Sequence, residues 1–338
     1  MKTFEEILAL FNKALVNMPF DRQPASLYEP VRYELSLGGK RIRPVLMLVA
    51  YNLYREDIEG IMPVALGLET YHNYTLLHDD VMDRADLRRG KPTVHKVWNE
   101  NAAILSGDSM LVLAYKLISQ TDDYHLRPVL DIFTETALEI GEGQQYDLEF
   151  ETRDDVTEEE YIEMIRLKTS VLLACALKLG AILADAPAAD AGLLYQFGEN
   201  LGLAFQLQDD LLDVYGDPAT FGKNIGGDIL EGKKTFMLIN ALRLADEQQR
   251  AELLKWLSTP VDVDNIGAEG CTPKGHSRAE KIAAVTELYN QIGVRHLAEE
   301  RINQYFESAF QCLDNLNIPA DYKQNLRSFA LSLMGRKH

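Results

Sequence analysis

AADAGLLYQFGENLGLAFQLQDDLLDV, residues 188–214, is the stretch on which the fold turns. It reads as one helix, longer than the roughly 10 to 14 residues usual in globular proteins, and it ends in an acidic word, Asp209-Asp210-Leu211-Leu212-Asp213. The word occurs once more, as Asp79-Asp80-Val81-Met82-Asp83, near the end of a helix expected over 61–85. With about 3.6 residues per turn, Asp79 shares a helix face with Asp83, and Asp209 with Asp213. Like charges at that spacing repel and give a helix nothing. Carboxylates are, however, what hard Mg²⁺ ions prefer, and Mg²⁺ takes one or two of them while water and substrate phosphate fill its other positions. Two such faces opposed across a cleft would hold a diphosphate.

Strand signals are scarce elsewhere, while apolar residues recur at helical spacing, as in Leu8, Phe11, Leu15 and Val45, Leu48, Val49, Leu53. Glycine and proline punctuation predicts helices near 4–18, 28–37, 41–54, 61–85, 94–119, 126–150, 158–183, 188–214, 234–257, 279–291, 294–314 and 320–334. The expected fold is all-α, a bundle whose long helices build a site from facing side chains. Residues 259–278 lack periodicity and read as a surface loop, and residues 1–338 as a single domain.

The chain has 338 residues, 46% of them hydrophobic, with 52 acids against 34 bases and a formal net charge of -18. That balance disfavours nucleic acid and anionic membrane surfaces as partners. Cys175, Cys271 and Cys312 show neither zinc spacing nor a disulfide framework, which suits a reducing compartment. Glu5 and Glu6 stand where a signal peptide would carry bases and an apolar run. No apolar stretch reaches the length of a membrane span, so no stable membrane insertion is expected.

Three basic knots accompany the acids. Arg88-Arg89-Gly90-Lys91-Pro92 follows the first word, and His72 precedes Asp79 by two helical turns. Arginine forks bind phosphate in bidentate fashion, so an adjacent pair can serve two phosphate groups. Gly38-Gly39-Lys40-Arg41-Ile42-Arg43-Pro44 opens a helix whose N-terminal amides favour an anion. Lys223 and Lys233-Lys234 lie in a Gly-rich stretch after the second word. Each alone is commonly a solvated charged segment; together they fit one metal-bridged diphosphate and a second bound directly.

In this combination the chain resembles the trans-isoprenyl diphosphate synthases, or polyprenyl synthetases, of the short-chain farnesyl and geranylgeranyl type. The resemblance rests on Gly-Gly-Lys-Arg-x-Arg-Pro, the first Asp-rich word followed by Leu87-Arg88-Arg89-Gly90, Lys168-Thr169, and Phe205-Gln206 ahead of the second word. It implies a single-domain orthogonal bundle of the isoprenoid synthase type with a central active-site cavity. It also implies Mg²⁺, three ions with substrate bound, ligated by Asp79, Asp83 and Asp209, with Asp80 and Asp213 supporting and Asp210 completing the motif. Arg88, Lys168, Thr169, Gln206, Lys223 and Lys233 would contact the allylic diphosphate, and Lys40, Arg43, His72 and Arg89 isopentenyl diphosphate. The family often separates its last two lysines by slightly fewer residues, leaving Lys233 and Lys234 as alternatives. Gly143-Gln144-Gln145-Tyr146-Asp147 resembles a family motif that lines the cleft. A cytoplasmic homodimer is implied as well.

The chemistry follows from charge placement. An allylic C–O bond ionises when Mg²⁺, Arg and Lys stabilise the departing diphosphate. The isopentenyl double bond then attacks the cation, a proton is lost, and water must be kept out. Thr169 and Gln206 are candidates to stabilise the cation through their oxygen dipoles. Product length would be set along the helix of the first word, where Tyr71, Tyr74 and Thr75 lie eight, five and four positions before Asp79. In the family a bulky residue at the fifth position is a short-chain feature, while a small one at the fourth permits longer chains. The expectation is C15 to C20, geranylgeranyl diphosphate ahead.

A class I terpene cyclase would carry an Asn/Asp-x-x-Ser/Thr-x-x-x-Glu second motif, which Asp209 to Asp213 does not match. A phosphohydrolase using His78-Asp79, or a di-iron bundle using Glu69-x-x-His72, would need partner histidines in a matching pattern. A non-catalytic regulatory subunit of a prenyl synthase would be expected to lose one acidic word or the basic ring.

Overall fold

A computed structural model describes residues 2–20, 22–217, 225–260 and 277–335. The chain forms two compact units, one of residues 1–136, 172–198 and 312–328, the other of 137–171, 199–311 and 329–338.

In the first unit, α1 (Phe4–Val16) starts with a capping box in which Thr3 and Glu6 satisfy each other's backbone amides. Then follow α2 (Ala25–Ser36), α3 (Ile42–Asn52), a 3₁₀ turn at Ile58–Ile61 and α4 (Met62–Met82). The residues of α3 from Pro44 to Asn52 are all buried, as expected of a helix apolar on every side. The region 94–119, read as one helix, is two, α5 (Val94–Val97) and α6 (Glu100–Ile118). The break comes at Trp98, because the Asn99 side chain accepts from the Ala102 amide and starts a new helix. A short hairpin, β1 (Leu87–Arg88) with β2 (Lys91–Pro92), follows α4.

Helices α7 (Asp123–Thr152) and α10 (Ala188–Tyr215) each begin in the first unit and end in the second. In the second unit a Thr157–Glu160 capping box starts α8 (Glu158–Ile165). The expected helix over 158–183 is interrupted, since Arg166–Ser170 winds as a π-helix before α9 (Val171–Leu183). Further on come α11 (Gly227–Glu231), α12 (Phe236–Leu244) and α13 (Glu247–Ser258). The last two divide the expected 234–257 because Asp246 and Gln249 form a capping box there. Then come α14 (Arg278–Ile292), α15 (Val294–Asp314) and α16 (Gln324–Met334). Of the expected loop over 259–278, residues 261–276 lie outside the described residues, as does Cys271. Among the described residues, no helix is long and apolar enough to cross a membrane.

Candidate active site

The first acidic word closes α4, whose last turn contains no base. Acids at the negative end of a helix dipole cost about 0.3–1 kcal/mol each, and a cation bound there would reverse the sign. Asp80 is only 2% exposed and is clamped by Arg88, whose Nε and Nη2 each lie 2.7 Å from one of its oxygens. Arg88 Nη2 also stands 3.8 Å from Asp79 Oδ2. Asp83 is exposed at the end of the helix.

The hairpin separates the two arginines. Its turn, Arg89-Gly90, has φ of 53° and 76°, the two positive values of a type I′ turn. Gly90 adopts this freely, whereas Arg89 is held there against its preference. As a result Arg88 reaches the acids of α4 while Arg89 Nη1 donates to the Gly38 carbonyl. A Cβ on Gly39 would lie 2.8 Å from the Arg89 guanidinium carbon, so the Gly38-Gly39 pair gives Arg89 its seat. Tyr33 Oη donates to the Pro92 carbonyl at 2.7 Å and ties the hairpin to α2.

Next to Arg89 lies the second basic knot. Arg43 Nη1 is 3.1 Å from His72 Nε2. Burial pushes the His72 imidazole well below its ordinary pKa, and Arg43, Arg89, Arg88 and Arg41 add to the shift. The ring is therefore neutral near pH 7, with Nε2 accepting from Arg43. Burial lowers Arg43 to about 10 despite the Glu69 charge. Lys40 is exposed just ahead of α3. Arg41, from the same knot, is structural, since its guanidinium donates to buried Glu69 at 2.6 Å and to the Leu35 carbonyl at 2.8 Å.

Glu34 was not singled out by the sequence. It is fully buried, neither of its carboxylate oxygens has a hydrogen-bond partner, and burial together with the Asp80 charge raises it to about 7, against Arg88, Arg89 and Arg41. The available signal was an acid on the buried face of α2, beside Pro30, Val31 and Leu35.

The aromatic residues before the first word stack along α4. The Tyr71 and Tyr74 rings are 5.5 Å apart, and Tyr71 also packs edge-on against Phe133 at 5.1 Å. Thr75 Oγ1 is turned back onto its own helix, donating to the His72 carbonyl at 2.8 Å.

In the second unit the other acidic word lies in the last two turns of α10, which likewise ends without a base. Asp209, Asp210 and Asp213 line a cavity of about 260 Å³ with Lys168, Thr169, Gln206, Asp228 and Lys233. Lys168 and Thr169 are presented by the π-helix, a departure that often marks functional sites. Two glycines admit it: a Cβ on Gly143 of α7 would collide with the Lys168 amide, and one on Gly202 of α10 would come 2.6 Å from Ser170 Cα. The Gly143 motif thus has two uses, because Asp147 Oδ2 lies 2.6 Å from Lys168 Nζ. Burial alone would raise the Asp147 carboxyl, but Lys233 and Lys168 bring it below its ordinary range.

Asp210 repeats the arrangement of Asp80. It is buried, accepts from Tyr161 Oη and accepts from Gln206 Nε2 at 3.2 Å. Burial raises its pKa to about 6, although Tyr161 and Gln206 favour the charged form. Burial plus Asp210 and Asp213 raise Asp228 to about 7, and its amide donates to Asp213 Oδ2 at 3.0 Å. Asp228 and Tyr161 were both missed; an acid following Gly226-Gly227 was the signal for the first. Lys233 lines the cavity, whereas Lys234 Nζ points to Asp154, 3.5 Å away. Lys223 lies outside the described residues.

Among the described residues no three His, Cys, Asp or Glu side chains are gathered as a ready metal cage. Mg²⁺ draws much of its shell from water and phosphate, and Asp228 is raised first by burial and then by the Asp210 and Asp213 charges.

A sequence model of the polyprenyl synthetase family matches residues 24–268. The chain belongs to this family. A geranylgeranyl diphosphate synthase of Methanosarcina mazei is 42% identical over 296 residues, 87% of this chain and 85% of that one. The crystal structure of a geranylgeranyl pyrophosphate synthase matches with a TM-score of 0.91 and 43% identity over 100% of both chains. Another, from Corynebacterium glutamicum and complexed with isoprenyl diphosphate and magnesium, matches with a TM-score of 0.80 and 29% identity, covering 99% of this chain and 98% of that one. The helices of this polyprenyl synthetase are accordingly those of the all-α isoprenoid synthase fold.

Proposed function

We propose that this polyprenyl synthetase is a short-chain trans-prenyltransferase that condenses isopentenyl diphosphate with dimethylallyl, geranyl or farnesyl diphosphate. The product is an all-trans C15 to C20 prenyl diphosphate, geranylgeranyl diphosphate ahead. The observation that carries this reading is the shared construction of the two acidic words. Each ends a long helix and turns its middle carboxylate inward, Asp80 to hold Arg88 and Asp210 to hold Gln206. The geranylgeranyl synthases similar to this chain support the product length, and the Corynebacterium complex supports the substrates and the metal.

In this reading Asp79, Asp83 and Asp209, with Asp80 and Asp213 in support, would hold Mg²⁺, three ions with substrate bound, which would supply charge neutralisation to the departing diphosphate. Arg88, Lys168, Lys223 and Lys233 hold the allylic diphosphate and stabilise the charge that grows on it as the C–O bond breaks. Thr169 and Gln206 turn oxygen dipoles toward the allylic cation. Lys40, Arg43, His72 and Arg89 bind isopentenyl diphosphate, with neutral His72 acting as a hydrogen-bonding group and not as a counter-charge. The proton leaves to the departed diphosphate, and Tyr74 and Tyr71 bound the growing chain.

We read residues 1–338 as one polyprenyl synthetase domain acting as a cytoplasmic homodimer without nucleic acid. Leu105 and Val112, two turns apart on α6 and 59% and 68% exposed, are an apolar face that suits a second copy. The test is transfer of label from isopentenyl diphosphate into an acid-labile, solvent-extractable product, requiring both an allylic primer and Mg²⁺. A hydrocarbon formed from the primer alone would overturn the reading in favour of cyclisation.

A further inference from the structure

Tyr161 lies in α8, ahead of the π-helix that begins at Arg166 and presents Lys168 and Thr169, and is 2% exposed. Its hydroxyl donates to Asp210 Oδ2. The other oxygen, Asp210 Oδ1, accepts from Gln206 Nε2 at 3.2 Å. A carboxylate can only accept, so the NH₂ end of the Gln206 amide must face Asp210 and its carbonyl oxygen must face away. On that side Gln206 Oε1 accepts from Thr169 Oγ1 at 3.3 Å. The Thr169 hydroxyl proton is thereby committed, and its lone pairs are left for the cavity that Thr169, Gln206, Asp210 and Tyr161 line together. Every donor along this path, from Tyr161 and from Thr169 by way of Gln206, runs toward Asp210.

We propose that Tyr161 is a positioning residue: through Asp210 it fixes the Gln206 amide so that oxygen, and not N–H, faces the pocket in which the allylic cation forms. This rests on the prenyl-transfer reading above. Reversing the amide would turn a repulsive dipole on the cation, while binding of the diphosphates, assigned in that reading to the arginines and lysines and not to Gln206, would persist. The phenol serves as a fixed donor, because burial and the Asp210 charge hold it protonated well past ordinary pH.

The test is Tyr161→Phe, alone and combined with Gln206→Leu. Tyr161→Phe is expected to lower kcat about 10- to 100-fold with KM for both substrates within about twofold. In the Gln206→Leu background it should change kcat less than about twofold, since both act through one amide. Additive losses, or a rise in KM that accounts for the whole effect, would overturn the proposal. A second readout needs no turnover: the Gln206 side-chain amide signal in ¹⁵N NMR should move on Tyr161→Phe, and an unmoved signal overturns the proposal. If the wild type transfers no prenyl group yet that signal moves, the functional reading fails and the positioning stands. Should Tyr161→Phe not fold, 3-fluorotyrosine at 161, similar in shape and a stronger donor, should shift kcat without KM; an unchanged kcat would overturn the proposal.

Discussion

Arg88 closes on Asp80 with two hydrogen bonds of 2.7 Å, one from Nε and one from Nη2, and the same Nη2 stands 3.8 Å from Asp79 Oδ2. The middle acid of the first word is thus a brace for a cation. A lysine at 88 keeps the charge and loses the fork. Arg88→Lys should lower kcat/KM for the allylic diphosphate about 10- to 100-fold, equivalent to about 1.4–2.8 kcal/mol, with little change in KM for isopentenyl diphosphate. Steady-state kinetics with each substrate varied would check this, and equal losses for both substrates would contradict it.

The paired tyrosines of α4 should differ under truncation. Tyr74 is half-buried against His78, with ring centroids 4.8 Å apart, while Tyr71 is buried between Tyr74 and Phe133. Tyr74→Ala should therefore lengthen the product by at least one C5 unit while folding normally. Tyr71→Ala should cost about 3–5 kcal/mol of stability, as is usual for a buried aromatic. Product analysis and a thermal melt of each variant distinguish the two, and an unchanged product from Tyr74→Ala would place the floor elsewhere.

At Gly143 a methyl group would collide with the Lys168 amide, in the π-helix that also packs against Gly202. Gly143→Ala should destabilise the protein by about 1–3 kcal/mol and lower kcat as well, because Lys168 and Thr169 would move with their backbone. Denaturant unfolding and kcat on one preparation would show both effects. Loss of stability with full kcat would mean that the π-helix does not position these residues.

His125 sits between two carboxylates, its Nδ1 2.7 Å from Asp122 Oδ2 and its Nε2 3.0 Å from Asp185 Oδ1. Burial would lower the imidazole pKa, but the two aspartates outweigh it and the net shift is upward. A histidine raised on folding stabilises fully below its unfolded pKa of about 6.5 and loses that contribution as pH rises through the folded value. The thermal midpoint of the wild type should therefore decline more steeply than that of His125→Gln as pH rises from about 6 to 9. Parallel curves would contradict this.

What could be read from the sequence was local. The i, i+4 spacing puts Asp79 with Asp83 and Asp209 with Asp213 wherever a helix forms, and the long apolar periodicities of α4 and α10 leave little choice of element. The misread boundaries have equally local causes, the Asn99 cap and the Asp246–Gln249 capping box, which are visible once sought. Glu34, Tyr161 and Asp228 were not legible because each gains its meaning from residues distant in the chain: Tyr161 from Asp210, Asp228 from Asp213, and Glu34 from Asp80 and the arginines. The π-helix is of the same kind, since its room is made by Gly143 and Gly202 on two other helices.

The most direct measurement is the chain length of the product formed from isopentenyl diphosphate and Mg²⁺ with dimethylallyl, geranyl and farnesyl diphosphate supplied in turn, read by mass spectrometry after dephosphorylation. All three primers should converge on all-trans C20 alcohol with a smaller C15 fraction from the shorter two. Primers recovered unextended, or converted to hydrocarbon, would contradict prenyl elongation as the activity of this chain.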